Sequence, residues 1–185
     1  GGAGRGGSAL VINRAAEVVR PLAEERSQQF VSDLSQLYLP VHVDRDLLGQ
    51  AIINLLSNAV KYTPENGRIT LRSHMEELEA IISVEDTGYG IPPESLPKIF
   101  DRFYRVPEHQ HAAKGTGLGL AFVQSIVQDL HNGRIEVDST VGVGSKFSIR
   151  LPLGHQDSKR IKKPEAKLKP KPEAEPELEL ALTTA

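Results

Sequence analysis

Asp86 closes the run EAIISVED (79–86), and Gly88 and Gly90 follow it two residues apart. If the run is a strand, Ile82, Val84 and Asp86 project to one face, because side chains alternate. A carboxylate at the rim of an apolar layer needs hydrogen-bond donors. An exocyclic amine of a base, backed by water, would provide them. Gly88 and Gly90 would let the backbone approach a flat ligand without a Cβ in the way, and Ile91 could pack on its edge. The same letters also suit an ordinary Asp-Thr-Gly turn after a strand.

A second set of residues shares one helix face. In RDLLGQAIINLLSNAVKY (45–62), Leu48, Ile52, Leu55 and Ala59 repeat at core spacing, while Asn54, Asn58, Lys61 and Tyr62 form another stripe. Asparagines compete for backbone groups and are poor mid-helix residues, so a pair one turn apart asks for a reason. Their amide oxygens suit Mg²⁺, which prefers oxygen and keeps waters and phosphates as its other ligands. Lys61 adds a point charge for phosphate, and Tyr62 a ring for a base. The competing reading is a solvated helix face. A third stretch, Gly-Thr-Gly-Leu-Gly-Leu (115–120), precedes AFVQSIVQDL. Glycines opening a helix leave free N–H groups at its positive end, a site for anions. The stretch lacks the Gly-Lys-Ser/Thr of a Walker A loop, and its glycine spacing is not that of a dinucleotide fingerprint. The catalytic-loop and DFG motifs of eukaryotic-type protein kinases are absent. Between the first and third stretches, KIFDRFYRVPEHQHAAK (98–114) offers Phe100, Phe103 and Tyr104 as anchors and Arg102, Arg105 and Lys114 as mobile cations. A tethered, glycine-bounded segment of this kind suggests a lid that closes on phosphates.

The elements that would position these groups can be read from periodicity. Residues 10–27 suggest a helix, with Pro21 an objection to its middle. QQFVSDL (28–34) and PVHV (40–43) are short strand candidates. Asp44 caps a helix from about Arg45 to Tyr62, which Thr63-Pro64 stops. Residues 67–75 and 79–86 read as paired strands around a polar turn at Glu76-Glu77. Residues 92–116 are mostly irregular, with a short helical patch near PESLPKIF. A helix over about Leu118–Leu130 ends at His131-Asn132-Gly133, with the glycine in the left-handed position. RIEVDS (134–139) and SKFSIRL (145–151) form a hairpin around Thr140-Val141-Gly142. The result is α+β: a two-layer α/β sandwich with helices on one face of a mixed, mostly antiparallel sheet.

Composition sets the outer limits. The net charge of −2 argues against bulk electrostatic binding of nucleic acid. With no cysteine there is neither a disulfide frame nor a thiolate metal site. No apolar run reaches the ~20 residues of a membrane span. Residues 1–8, GGAGRGGS, read as a flexible linker or the trace of a cut. Residues 155–185, rich in Pro, Lys and Glu, read as a disordered tail. The folded domain is expected over 9–154.

In order and spacing, NLLSNAVKYT, VEDTGYGIP, IFDRFYRV and GTGLGLAFV resemble the N, G1, F and G2 boxes of sensor histidine kinases. These are ATP-binding catalytic domains of the wider family that includes gyrase, the large heat-shock chaperone and the mismatch-repair ATPase. The resemblance covers about residues 10–152. It implies a Bergerat-type sandwich with ATP between the asparagine helix and the lid. It implies that Asp86 accepts from the adenine amine, with Gly88, Gly90 and Ile91 around the base and Tyr62 flanking it. Asn58 would coordinate Mg²⁺, assisted by Asn54. Lys61, Arg105 and Lys114 would serve the phosphates, and Gly115, Thr116, Gly117, Leu118, Gly119 and Leu120 would close around the triphosphate. Relatives that hydrolyse ATP carry a glutamate where this chain has Asn54, and an amide cannot take a proton at neutral pH.

The resemblance therefore implies that Mg·ATP is bound and its γ-phosphate passed to a histidine on a separate dimerising hairpin domain, with a response regulator downstream. None of the six histidines stands in a phosphoacceptor context, so the chain is not expected to phosphorylate itself. His109 and His111 read as polar filler on a loop. The fragment is expected to be a cytoplasmic monomer touching neither nucleic acid nor membrane. The alternatives are a non-kinase ATPase of the same superfamily and a nucleotide-sensing docking module.

Overall fold

The structure, a computed structural model, describes residues 6–40, 42–110 and 115–154. Among the described residues, three helical segments cover one face of a five-stranded sheet. The order along the chain is helix α1 (Gly6–Glu25), strand β1 (Gln29–Leu34), helix α2 (Arg45–Tyr62), and strands β2 (Arg68–Glu76) and β3 (Glu79–Asp86). One-turn 3-10 helices follow at Leu96–Lys98 and Pro107–His109. Helix α3 (Gly119–Gln124) runs on into a π-helical segment, Ser125–Leu130, before strands β4 (Arg134–Thr140) and β5 (Gly144–Pro152). The strands lie in the order β1-β2-β3-β5-β4; β1 pairs with β2 in parallel and the other pairs are antiparallel. This is the expected two-layer sandwich.

Register carries Asp86 to its place. Leu71, Val84, Phe147 and Val137 face one another across four strands, and the next row toward the sheet's end is Ile69, Asp86, Ser145 and Ser139. Apart from Ser73, the inner face is thus apolar in these central strands until its last row, where Asp86, Ser145 and Ser139 stand beside Ile69. Against it pack Leu48, Ile52, Leu55 and Leu56 of α2 and Val123, Ile126 and Val127 after the glycine stretch, all buried. The outer face carries exposed cross-strand ion pairs such as Arg72–Glu85 at 3.1 Å and Arg150–Glu136 at 2.9 Å. Such pairs contribute little stability each.

Several expectations are corrected. Helix α1 begins at Gly6, inside the stretch read as linker, and the buried Ser8 hydroxyl donates to the Leu37 carbonyl at 3.0 Å. Pro21 lies within α1. The seam of Ile12, Ala15, Ala16, Val19 and Ala23, all buried, outweighs the lost backbone bond. The described part of residues 40–43 forms no strand; the Val43 N–H donates to the Pro40 carbonyl in a turn instead. The left-handed position after the third helix is held by Asn132 (φ 49°) and not by Gly133. Residues 155–185, read as a tail, lie outside the described residues.

Helix α2 carries much of the site, and both its ends are tied. The Asp44 carboxylate accepts from the Leu47 N–H at 3.1 Å as N-cap. At the other end the buried Gln28 amide donates to the carbonyls of Val60 (3.0 Å) and Thr63 (2.6 Å). Those carbonyls have no partner within the helix. Gln28→Ala should therefore lower stability by about 1–2 kcal/mol, or about 3–8 °C in melting temperature by circular dichroism. An unchanged melting temperature would show that water serves the helix end equally well.

Candidate functional site

An open cleft of about 210 Å³ lies between α2, the loop after β3 and the segment leading to α3. Asp86 forms one end. Its Oδ1 accepts from the backbone N–H of Gly88 at 2.8 Å and of Ser145 at 3.3 Å. Its Oδ2 takes no hydrogen bond among the described residues, although the side chain lines the cleft and is 8% exposed. Burial pushes the carboxyl up to about 6; the two N–H donors pull it down, and Glu85 adds a smaller upward push. A half-satisfied carboxylate facing a cavity is an acceptor waiting for a donor.

Gly88 meets a steric demand of the fold itself. A Cβ on it would stand 2.2 Å from the Tyr62 carbonyl oxygen. That carbonyl also accepts from the Tyr89 N–H at 3.1 Å. The glycine thus lets the β3 loop lie directly on the end of α2, bringing Asp86 and Tyr62 to one cleft. Gly90, Ile91 and Ser145 complete this end.

The α2 wall presents Leu55, Asn58, Ala59, Lys61 and Tyr62 to the cleft. Asn58 is half-buried and its amide makes no hydrogen bond among the described residues. Asn54, one turn earlier, is not part of the wall, and its Oδ1 accepts from the Gln50 amide at 3.3 Å. Opposite α2 lie Arg105 and, at the glycine turn, Gly115, Thr116, Gly117, Gly119 and Leu120. The Gly117 carbonyl accepts from the Phe103 N–H at 2.9 Å, which ties this turn to the aromatic segment.

That segment is anchored differently from the sequence expectation. Phe100 meets Phe147 edge to face, with ring centroids 6.4 Å apart, and the Tyr104 hydroxyl bonds the Ser95 hydroxyl at 2.8 Å. Phe103 is no anchor: at positive φ (66°) it stands 70% exposed. His109, read as filler, is buried against the cleft with Tyr62 and Tyr89 beside it.

The chain matches the family model "Histidine kinase-, DNA gyrase B-, and HSP90-like ATPase" over residues 43–155. It belongs to this ATPase family. Its relatives within the family include sensor histidine kinases. It is 40% identical over 134 residues to the sensor histidine kinase WalK of Bacillus subtilis, an alignment covering 71% of this chain and 22% of WalK. Among solved structures, the mycobacterial sensor histidine kinase MprB superposes with a TM-score of 0.67 at 30% identity, over 78% of this chain and 95% of that one. The catalytic domain of histidine kinase ThkA superposes with 0.66 at 27% identity, over 79% and 95%. ThkA has also been solved in complex with the response regulator protein TrrA. The chain spans about a fifth to a third of the length of the first curated relatives it matches. The fold is that of histidine kinase catalytic domains, and ATP is the ligand class of this ATPase family.

Measured against the ATPase reading, most of the expected residues meet. Asn58, Lys61, Tyr62, Asp86, Gly90, Ile91, Arg105, Gly115, Thr116, Gly117, Gly119 and Leu120 share the cleft. Asn54, Gly88 and Leu118 do not line it. Lys114 and His111 lie outside the described residues. The sequence reading did not place Ser145, Ile99, Val106, Phe147 or His109 at the site, nor Tyr104, which it read as an anchor; all of them line it. Ser145 could have been found, since strand pairing sets it directly beside Asp86. The donor set fits Mg·ATP: a carboxylate oxygen open to an amine at one end, and an unbonded amide with cations and backbone N–H groups at the other.

Proposed function

We propose that this domain binds Mg·ATP and donates the γ-phosphate to a histidine on a separate phosphoacceptor domain, as the catalytic part of a sensor histidine kinase. The observation that carries the reading is one cleft holding the open oxygen of Asp86 and the unbonded amide of Asn58 at different places on its wall. In this reading the adenine amine donates to Asp86 Oδ2 while Tyr62 and Ile91 pack on the base. Asn58 Oδ1 would hold Mg²⁺, whose charge offsets that of the phosphates. Lys61, Arg105 and the N–H groups of the glycine turn would orient the triphosphate.

What the cleft lacks supports transfer over hydrolysis. Its described titratable side chains are Asp86 at the base end, His109 bonded to a carbonyl, and the side chains of Lys61, Tyr62, Tyr104 and Arg105. None is a carboxylate beside Asn58, and Asn54 is an amide already engaged by Gln50. Among the described residues water is left without a general base, and in this reading the nucleophile comes from another domain. Its imidazole nitrogen bonds to the γ-phosphorus as the bond to the bridging oxygen breaks, and ADP leaves with the electron pair. A response regulator is the downstream acceptor, and the cytoplasm, where ATP is found, the place of action. The isolated chain acts as a monomer in this reading. Among the described residues no helix is long and apolar enough to cross a membrane.

Exposed apolar side chains stand beside the glycine turn: Phe103 (70%), Leu118 (39%) and Phe122 (42%). The Phe122 N–H bonds the Leu118 carbonyl and the Phe103 N–H bonds the Gly117 carbonyl, so the backbones that carry all three meet at the glycine turn. This is where a phosphoacceptor helix would dock. Phe103→Ala with Phe122→Ala should slow transfer to a separately supplied hairpin domain by about 10-fold or more. ADP affinity should stay the same in a parallel titration.

Isothermal titration with ATP, with and without Mg²⁺, tests the binding step. Incubation with radiolabelled ATP and a hairpin domain should yield acid-labile, base-stable phosphate on that domain. No Mg²⁺-dependent binding, or rapid hydrolysis by the isolated chain, would refute the proposal.

A further inference from the structure

The lid is fastened to the cleft at a point that no motif marks. Val106 is 9% exposed and packs into the core, Pro107 opens a 3-10 turn with its φ already set, and the turn delivers His109 to a position 7% exposed. His109 Nε2–H donates to the Gly90 carbonyl at 2.7 Å. A carbonyl only accepts, so Nε2 carries the proton and Nδ1 of the neutral ring is an acceptor. The imidazole centroid lies 5.0 Å from that of Tyr62, tilted by 35°, and 5.9 Å from that of Tyr89, tilted by 46°. Burial pulls this imidazole below the usual histidine range, against the opposing pull of the Gly90 carbonyl and Glu108. A histidine on a loop stays solvated unless contacts offset that cost.

The receiving carbonyl belongs to a rigid frame. Gly90 has φ 73°, and a Cβ on it would stand 2.2 Å from the Thr140 carbonyl oxygen. On one side of it the Tyr89 carbonyl accepts from the Gly142 N–H at 2.9 Å. On the other the Ile91 N–H donates to the Ser139 hydroxyl at 2.8 Å. His109 therefore ties its segment to the loop after β3, which the β4–β5 hairpin holds in turn, at the Asp86 end of the cleft.

We propose that His109 is a positioning and specificity residue for the nucleotide base: it fastens the base-side part of the lid to Gly90, and its ring joins Tyr62 in the wall against which a purine packs. The proposal rests on the nucleotide reading of the cleft. It separates two grips on one ligand, His109 with Asp86 for the base and the glycine turn with Asn58 for the phosphates. Removing His109 should harm the first and spare the second.

The test compares Mg·ADP with Mg·tripolyphosphate, which has the phosphates but no base, by titration against the wild type, His109→Ala and His109→Phe. His109→Ala should raise the Kd for Mg·ADP about tenfold or more, the loss of one buried hydrogen bond and a ring contact. Tripolyphosphate should bind both proteins alike. His109→Phe keeps ring volume if the alanine variant folds poorly, and should fall between the two. In ¹⁵N spectra the His109 resonances should report the Nε2–H tautomer and move on adding Mg·ADP but not Mg·tripolyphosphate. Unchanged ADP affinity in both variants, or an equal loss for both ligands, overturns the role of His109 alone. Failure of the wild type to bind Mg·ADP overturns the nucleotide reading and this proposal with it.

Discussion

Asp86→Asn will raise the dissociation constant for Mg·ADP by about 100-fold at pH 7.5, and the protein will melt no lower than the wild type. Oδ1 of Asp86 already serves the N–H groups of Gly88 and Ser145. An asparagine must keep its oxygen there to avoid orphaning both donors. Its NH₂ is then turned into the cleft, where it meets the purine amine donor to donor. The lost charge-assisted bond and the unpaired donors together amount to about 3 kcal/mol, hence the factor of about 100. Stability moves the other way. The folded carboxyl is raised from 3.8 to about 6, mainly by burial. A group raised in the folded state binds extra protons there, so its contribution weakens as pH climbs from about 4 through 6. Ionised Asp86 therefore costs the fold up to about 3 kcal/mol at neutral pH, a cost the asparagine escapes. Calorimetric melting alongside titration separates the two effects. In the wild type, the ¹³C carboxyl signal of Asp86 should titrate near pH 6 in the free protein and at lower pH with ADP bound, because the amine favours the ionised form. An ADP affinity within threefold of wild type would show that the base is held by something else.

How far the site can be read from sequence depends on the range of the contacts that build it. Asp86 was legible because strand alternation is local: Ile82, Val84 and Asp86 share a face, and register keeps them on the core side. The asparagine stripe was legible for the same reason at helical period, yet the pattern could not tell Asn58 in the cleft from Asn54 beside it. That distinction depends on how α2 is rotated against the glycine turn, a tertiary fact. His109 shows the limit more sharply. Its burial comes from Gly90, 19 residues away, and from two tyrosines on different elements. No local pattern distinguishes it from a solvated loop histidine. Phe103 is the converse case. An aromatic between two cations reads as an anchor, but a backbone at positive φ, bonded to Gly117, carries its ring into solvent. At Gly88 a side chain would not fit, and what a Cβ would meet there is the Tyr62 carbonyl, a contact between α2 and the loop after β3 that no local pattern announces.

Asn58 and Asn54 make a paired experiment. Asn58→Ala should abolish the Mg²⁺ dependence of ATP affinity and slow transfer to a supplied hairpin domain by about 100- to 1,000-fold, the range for removing one fixed group that stabilises developing charge. Folding should not suffer. The Asn58 amide has no hydrogen bond among the described residues, and alanine is the better helix former by about 0.5 kcal/mol. Asn54→Ala should change ATP affinity by less than about threefold, because its oxygen is engaged by Gln50 and it stands off the cleft wall. The pair is one helical turn apart on a helix tied at both ends, so a difference between them cannot come from α2 shifting as a whole. Titration against ATP with and without Mg²⁺, followed by single-turnover transfer, measures both variants. If Asn54→Ala proved as damaging as Asn58→Ala, the Gln50 contact would have to break on ligand entry, and the ion would be held by two amides in place of one.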